Sequence, residues 1–287
     1  LTFSRKCGIL DGEREYQACR FNAQAGEYLM RKSMIMILSA VIMGVLTGTA
    51  LAQWTIDLET GVAVSGYNDV RIPGEFVGIP EETPTKFSLS QELKADPTAF
   101  WRIRFGYSFG HKHHLSLLFA PLRIHSSGTV DRYVGFGVRF AGTDFAPNAL
   151  LKSRYRFDSY RLTYRYDFHR RENLTLGVGL TIKVRDASIS LTDGEVEAEK
   201  SNTGLVPLIN FMARWRFHER LGALLEGDAL AAPQGRAEDV LAAITGQINE
   251  RLRLKAGYRI LEGGADNAEV YTFALVNYFL VGAEWEF

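Results

Sequence analysis

The 287-residue chain sets 33 Lys+Arg against 33 Asp+Glu, with 46% hydrophobic residues, 12% aromatic residues and only 8 Pro. Formal neutrality argues against the basic surface of a nucleic-acid binder, so no nucleic-acid partner is expected. The composition excludes a disordered or collagen-like chain, and the length allows one large domain or two small ones.

Residues 1–29 show no usable periodicity and read as an unstructured, over-extended gene start. Met30 then opens an export signal. Arg31 and Lys32 form its positive region, Met34 to Leu46 its apolar stretch, and Ala50-Leu51-Ala52 a small-x-small cleavage site. The apolar stretch is shorter than the ~20 residues of a spanning helix. Residues 30–52 are therefore expected to be a cleaved signal peptide, leaving a single domain over 53–287. Both cysteines, Cys7 and Cys19, precede Gln53, so the mature chain has no disulfide or thiolate metal site.

After Gln53 the chain alternates with period two, segment after segment. In Trp101 to Phe109 the odd positions are apolar or aromatic; in Tyr160 to Phe168 the even positions are. A strand puts each set on one face, whereas a helix would scatter it. The predicted strands are 54–68, 98–109, 114–127, 151–168, 174–190, 204–217, 221–230, 239–249, 251–261 and 270–287. Four short polar turns (Gly110–His114, His169–Asn173, His218–Arg220, Asn249–Arg251) alternate with five longer connections at 70–97, 127–150, 191–203, 231–238 and 262–270. Residues 129–142 also read as extended. They are expected to prolong the third strand externally; as an independent spanning strand they would raise the count to twelve.

Two features separate a membrane barrel from a soluble one. One parity gathers aromatics at the strand ends nearest the short turns: Trp54, Tyr107, Phe109, Tyr166, Phe168, Trp215, Phe217, Trp285 and Phe287. Amphipathic rings favour the headgroup level, so such a girdle marks a membrane interface. The other parity is charged, with eleven Lys/Arg to seven Asp/Glu. Burying it requires pairing. Closing strand ten on strand one makes an acidic seam of Asp57, Glu59, Glu284 and Glu286. Arg102 and Arg104 flank it on one side, and Arg253, Lys255 and Arg259 on the other. Glu226 and Asp228 are expected to pair with Arg214 and Arg216 on the adjacent strand, since cross-strand neighbours sit ~5 Å apart.

The expectation is an all-β, closed, antiparallel up-and-down transmembrane barrel of ten strands. The ending Phe279, Val281, Ala283, Trp285, Phe287 resembles the carboxy-terminal strand of Gram-negative outer-membrane proteins. That resemblance implies the bacterial outer membrane, contact with its lipid and lipopolysaccharide, and recognition by the barrel-assembly machinery through the strand ending in Phe287. Asn277 departs from the lipid-facing pattern and would have to lie near the external interface.

Candidate chemistry is sparse, and no cofactor is expected. His111, His113 and His114 read as a solvated turn with no carboxylate beside them, hence no metal site. Asp167-Phe168-His169 has a D-x-H spacing beside a short turn. His125-Ser126-Ser127 resembles the His/Ser dyad of lipid A deacylases, which implies His125 as base and Ser127 as nucleophile. No acidic residue follows at the expected distance. Omptin-type proteases resemble the chain in size, yet their paired acidic rim residues have no evident match. Glu262, Asp266 and Glu269 could hold a hard cation but read as ordinary loop carboxylates. The sequence thus points to a structural or binding barrel with a charge-paired, largely filled lumen and working external loops. A narrow channel for small polar or anionic solutes and a lipid A-directed hydrolase are the alternatives.

Overall fold

The computed structural model describes residues 53–74, 83–131, 137–232 and 235–287. The expected leader and signal peptide lie outside the described residues.

Strands run in the order β1 (Gln53–Arg71), β2 (Phe87–Ser88), β3 (Thr98–Phe109), β4 (His113–Ala120), β5 (Arg123–Gly128), β6 (Val138–Phe140), β7 (Thr143–Phe145), β8 (Leu151–Arg170), β9 (Leu174–Thr192), β10 (Glu197–Arg216), β11 (Leu221–Ala232), β12 (Gly235–Gln247), β13 (Leu252–Asp266) and β14 (Tyr271–Glu286). Each stave pairs antiparallel with its sequence neighbour, and β14 pairs with β1 from Thr55↔Glu286 to Arg71↔Tyr271, which closes the sheet. β4 and β5 are two halves of one stave, so the barrel has ten. Closure removes the sheet edges that would otherwise have to be protected.

Three expectations are corrected. The third stave breaks at Pro121, which has no N–H to give the ladder. Beyond the break β5 pairs with β8, and its other edge receives Asp96 N–H on the His125 carbonyl at 2.9 Å. The described residues of 129–142, which are 129–131 and 137–142, neither prolong that stave nor add a spanning strand. Instead β6 and β7 form a separate hairpin around Ala141 and Gly142, both at positive φ, as a two-residue turn between strands demands. Finally, the long connections expected at 191–203, 231–238 and 262–270 are mostly strand: β9 reaches Thr192, β11 reaches Ala232 and β13 reaches Asp266.

The reason is environmental. Period-two alternation is legible only where one face is apolar and the other polar. The staves outrun that zone, and their far ends lose the pattern while keeping the ladder, except between β10 and β11, whose pairing stops at Ile209↔Ala229. Gly263 and Gly264 also make 262–270 look like loop in sequence. At Gly264 a Cβ would lie 2.5 Å from the Phe273 ring, so this glycine serves close packing within the sheet.

The described later part of the first long connection, 83–97, packs back against the long-loop end of the barrel. Phe87, Leu89 and Leu93 are buried against Val70, Leu122, Ile124, Phe140, Phe145 and Leu151. Leu89 N–H bonds the Asn68 carbonyl at 2.7 Å, and Ala141 N–H bonds that of Ile72 at 3.0 Å. Each buried side chain contributes ~1.5–3 kcal/mol of apolar burial. Together they make a small core of soluble type at the long-loop end.

Candidate functional site

In the staves below that lid the usual distribution is inverted. Outward positions are large and exposed: Leu205 is 69% accessible, Leu180 68%, and Leu58, Phe105, Leu117, Ile209, Ile244 and Val281 follow the same parity. Such a continuous apolar skin marks an interaction surface rather than a solvated one. Its height matches a bilayer: Trp54 to Val62, Tyr160 to Phe168 and Phe279 to Phe287 are nine residues each, against the ~9–11 of a tilted spanning strand. The rings expected at the short-turn end lie there on the outer face. Tyr107 alone is covered, beneath Trp54 at 4.7 Å and Phe109 at 5.9 Å.

Above the skin the outer face turns ionic. Arg123 pairs with Asp158, and Arg156 with Asp186 at 2.8 Å. On the opposite side Arg236 and Tyr67 both bond Glu262. Asn277 sits just below this collar, accepting from Tyr258 Oη at 2.5 Å, which accounts for a polar residue on the lipid-facing parity.

Inside, five cations (Arg102, Arg104, Arg161, Lys255, Arg259) meet five carboxylates (Asp57, Glu59, Glu226, Asp228, Asp239) in one connected network. The β1–β3 register sets Asp57 beside Arg104 and Glu59 beside Arg102. Lys255 and Arg259 reach past β14 to Asp57 at 2.8 Å and Glu59 at 2.8 Å respectively. Arg104 crosses the lumen to Glu226 at 2.9 Å. Asp239 collects Arg102 at 3.1 Å, Arg259 at 2.5 Å and Arg161. Asp228 takes Arg161 at 2.8 Å, with Thr181 and Asn210 donating at 2.6 and 2.9 Å. Arg259, at 1% exposure, is wholly enclosed. Asp57, Glu59 and Glu226 bring oxygens within 4.8 Å of one another, a spacing that suits a metal. Here Lys255, Arg104 and Arg259 already occupy them.

The adjacent-strand pairing expected for Glu226 and Asp228 is overturned. Register sets Met212 opposite Glu226 and Asn210 opposite Asp228, so Arg214 and Arg216 fall short of both. Arg214 instead joins Arg253 on Glu284, Arg253 also nears Glu286 at 3.7 Å, and Arg216 pairs with Glu172.

A second layer at the short-turn end was missed in the sequence. His114 Nε2 lies 2.8 Å from Asp167 Oδ2 and its Nδ1 2.8 Å from Ser108 Oγ, so one of the three turn histidines does have a carboxylate beside it. That carboxylate comes from a distant strand, where sequence distance concealed it. The trio resembles a Ser–His–Asp relay, but Arg165 holds the other Asp167 oxygen at 3.2 Å. An acid already neutralised is ill placed to stabilise an imidazolium. The trio is a lumenal clamp, and Gly177 leaves room for it: a Cβ there would lie 2.6 Å from Asp167 Oδ1. Asp167 serves His114 and not His169.

His125 and Ser127 lie exposed on the outer side of β5, beside Arg154 and Lys152 across the ladder. Among the described residues neither side chain hydrogen-bonds the other or a carboxylate. In the last hairpin, Glu262 belongs to the collar and Glu269 lies 3.8 Å from Lys200.

Above the network the lumen opens into a cavity of about 430 Å³, walled by Tyr155, Phe157, Ile189, Leu261, Ala274 and Val276 with Lys183 at its foot.

No protein-family model and no curated protein sequence matches this chain. Solved structures do. The outer membrane protease OmpT from Escherichia coli superposes with a TM-score of 0.50 at 10% identity, over 84% of this chain and all of that one. The attachment invasion locus protein Ail of Yersinia pestis gives 0.37 at 12% identity, covering 82% of this chain and 99% of that one. Neisserial surface protein A gives 0.34 at 13%, covering 84% and 99%. At such identities the OmpT likeness speaks for fold alone, and the two looser ones carry no weight. Fold and inverted polarity agree: the chain is an outer-membrane β-barrel protein, closed by ten antiparallel staves around a salt-bridged lumen.

Proposed function

We propose that the protein is a non-conducting barrel of the Gram-negative outer membrane whose working part is its long-loop end. The lumenal network carries this reading. Five opposite-charge pairs' worth of side chains interlock across the full width of the lumen, and a ten-stranded barrel is narrow enough for side chains to fill. Breaking buried pairs costs several kcal/mol each, so a solute cannot easily part them.

In this reading the short turns face the periplasm and the lidded end faces outward, as in barrels with short periplasmic turns and longer external loops. Trp54, Phe109, Phe168, Trp215, Phe217, Trp285 and Phe287 then lie at the inner headgroup level. The ionic collar meets the lipopolysaccharide headgroups. The strand ending in Phe287 is the segment the assembly machinery would recognise, and export uses the signal at 30–52.

Planar-bilayer recording of the folded protein tests the proposal. A silent membrane is expected. Stable unitary currents would instead favour the narrow channel for anionic solutes. The deacylase reading makes a separate prediction, altered lipid A acylation on expression, which His125→Ala and Ser127→Ala would each abolish.

A further inference from the structure

Among the buried cations of the described lumen, Lys183 is the exception to the pairing. It is 3% exposed, and among the described residues no carboxylate or other acceptor comes within ion-pair or hydrogen-bond distance. Its ladder partner on the same inward face is Arg161, another cation, and its ammonium lies 4.8 Å from the Phe157 ring centre. Arg161 commits itself to Asp228 and Asp239, leaving nothing for Lys183. An unpaired buried ammonium is costly. This one stands at the foot of the cavity of about 430 Å³, within the ~300–1,000 Å³ range of small-molecule sites. The walls named above offer aromatic and aliphatic carbon. Farther out, Arg236 pairs with Glu262 and Lys200 lies 3.8 Å from Glu269, while Arg185 bonds only the neutral Asn202, at 2.5 Å, and its buried Nε has no partner among the described residues.

We infer that this cavity binds an amphiphile with an apolar body and one carboxylate head, the head on Lys183 and the body against Tyr155, Ile189, Ala274 and Val276. Lys183, the fully buried cation of the lining, matches the negative head, and the apolar walls exclude a fully polar anion. The inference rests on the sealed-lumen reading, because a conducting lumen would replace a closed foot with a water column.

The test uses the folded protein in nanodiscs, titrated calorimetrically with decanoate, decanol and decylammonium. Decanoate should bind saturably, roughly tenfold or more tighter than decanol, the margin a charge-assisted hydrogen bond supplies. Decylammonium should not bind. Lys183→Met should erase the preference for decanoate over decanol, and Lys183→Arg should retain it. Ala274→Phe, which fills the cavity, should abolish binding of both while leaving heat-modifiability intact. Equal affinity of the unaltered protein for decanoate and decanol, or no binding of either, overturns the inference without recourse to any variant. Bilayer silence alongside such a failure would leave the sealed-barrel reading standing.

Discussion

The same staves keep two opposite arrangements at two heights. Between Tyr160 and Phe168, β8 turns aromatic side chains outward while Arg161 and Asp167 are buried. Beyond Tyr160 the polarity reverses: Tyr155 and Leu151 are buried, and Arg156 and Asp158 form ion pairs on the outer face. β9 behaves alike, with Leu180 and Ile182 outward, then Ile189 and Leu191 buried. Between these heights the parity of β8 and β9 does not shift; only the surroundings do. Lipid rewards grease outside, water rewards grease inside, and the crossover marks the upper edge of the apolar skin. Lys183 stands at that crossover, with the charge network below it and the walls of Tyr155, Ile189 and Val276 above.

The comparison can be broken most forcefully from below. Asp239 serves three arginines at once, so Asp239→Ala should cost roughly 3–5 kcal/mol, the price of stranding buried charge. Urea unfolding in lipid vesicles would measure it, and an unchanged midpoint would mean the network is not holding the lumen. Next, Leu180→Arg should lose about 2–4 kcal/mol as a cation facing the bilayer core. The same change at Val196, exposed in the β9–β10 turn, should stay within about 0.5 kcal/mol. Equal effects at the two positions would erase the boundary.

The smallest effect concerns the collar. Hydrogen bonding from Tyr67, then the Arg236 charge, holds the Glu262 carboxyl below its usual 4.5. A lowered folded value means the tie is fully present above the ordinary glutamate range and fades as pH falls through the folded value. Tyr67→Phe should move the Glu262 titration upward toward 4.5, read by carboxyl-¹³C NMR. No movement would mean the hydroxyl does not reach that carboxylate in solution.

The same reversal explains what the sequence could and could not disclose. Where one face meets lipid, alternation is clean, and ten staves, their short turns and the aromatic girdle are all readable. Past the collar, polar residues occupy the outward parity and small or apolar ones the inward, in short runs with glycines, and strand reads as loop. Asp239 was lost because it lies just below that stretch, where β12 was expected barely to begin, although it shares parity with buried Leu241 and Ala243. Its alternation with Val240 and Ala242 was the available signal. Pairing across the lumen was beyond reach, because contacts such as Arg104–Glu226 depend on barrel diameter and register rather than strand order. Asp167 and His114 are hidden by the same long separation.

The polarity reversal itself is best tested by nitroxide scanning along β9 in lipid vesicles, comparing collision with oxygen and with a water-soluble nickel chelate. Labels at Val178, Leu180 and Ile182 should be open to oxygen and closed to nickel. One at Asp186, on the same face four residues on, should be open to nickel, and labels at Thr181 and Ile189 should be shielded from both. Nickel reaching Leu180, or oxygen dominating at Asp186, would contradict the account at its centre.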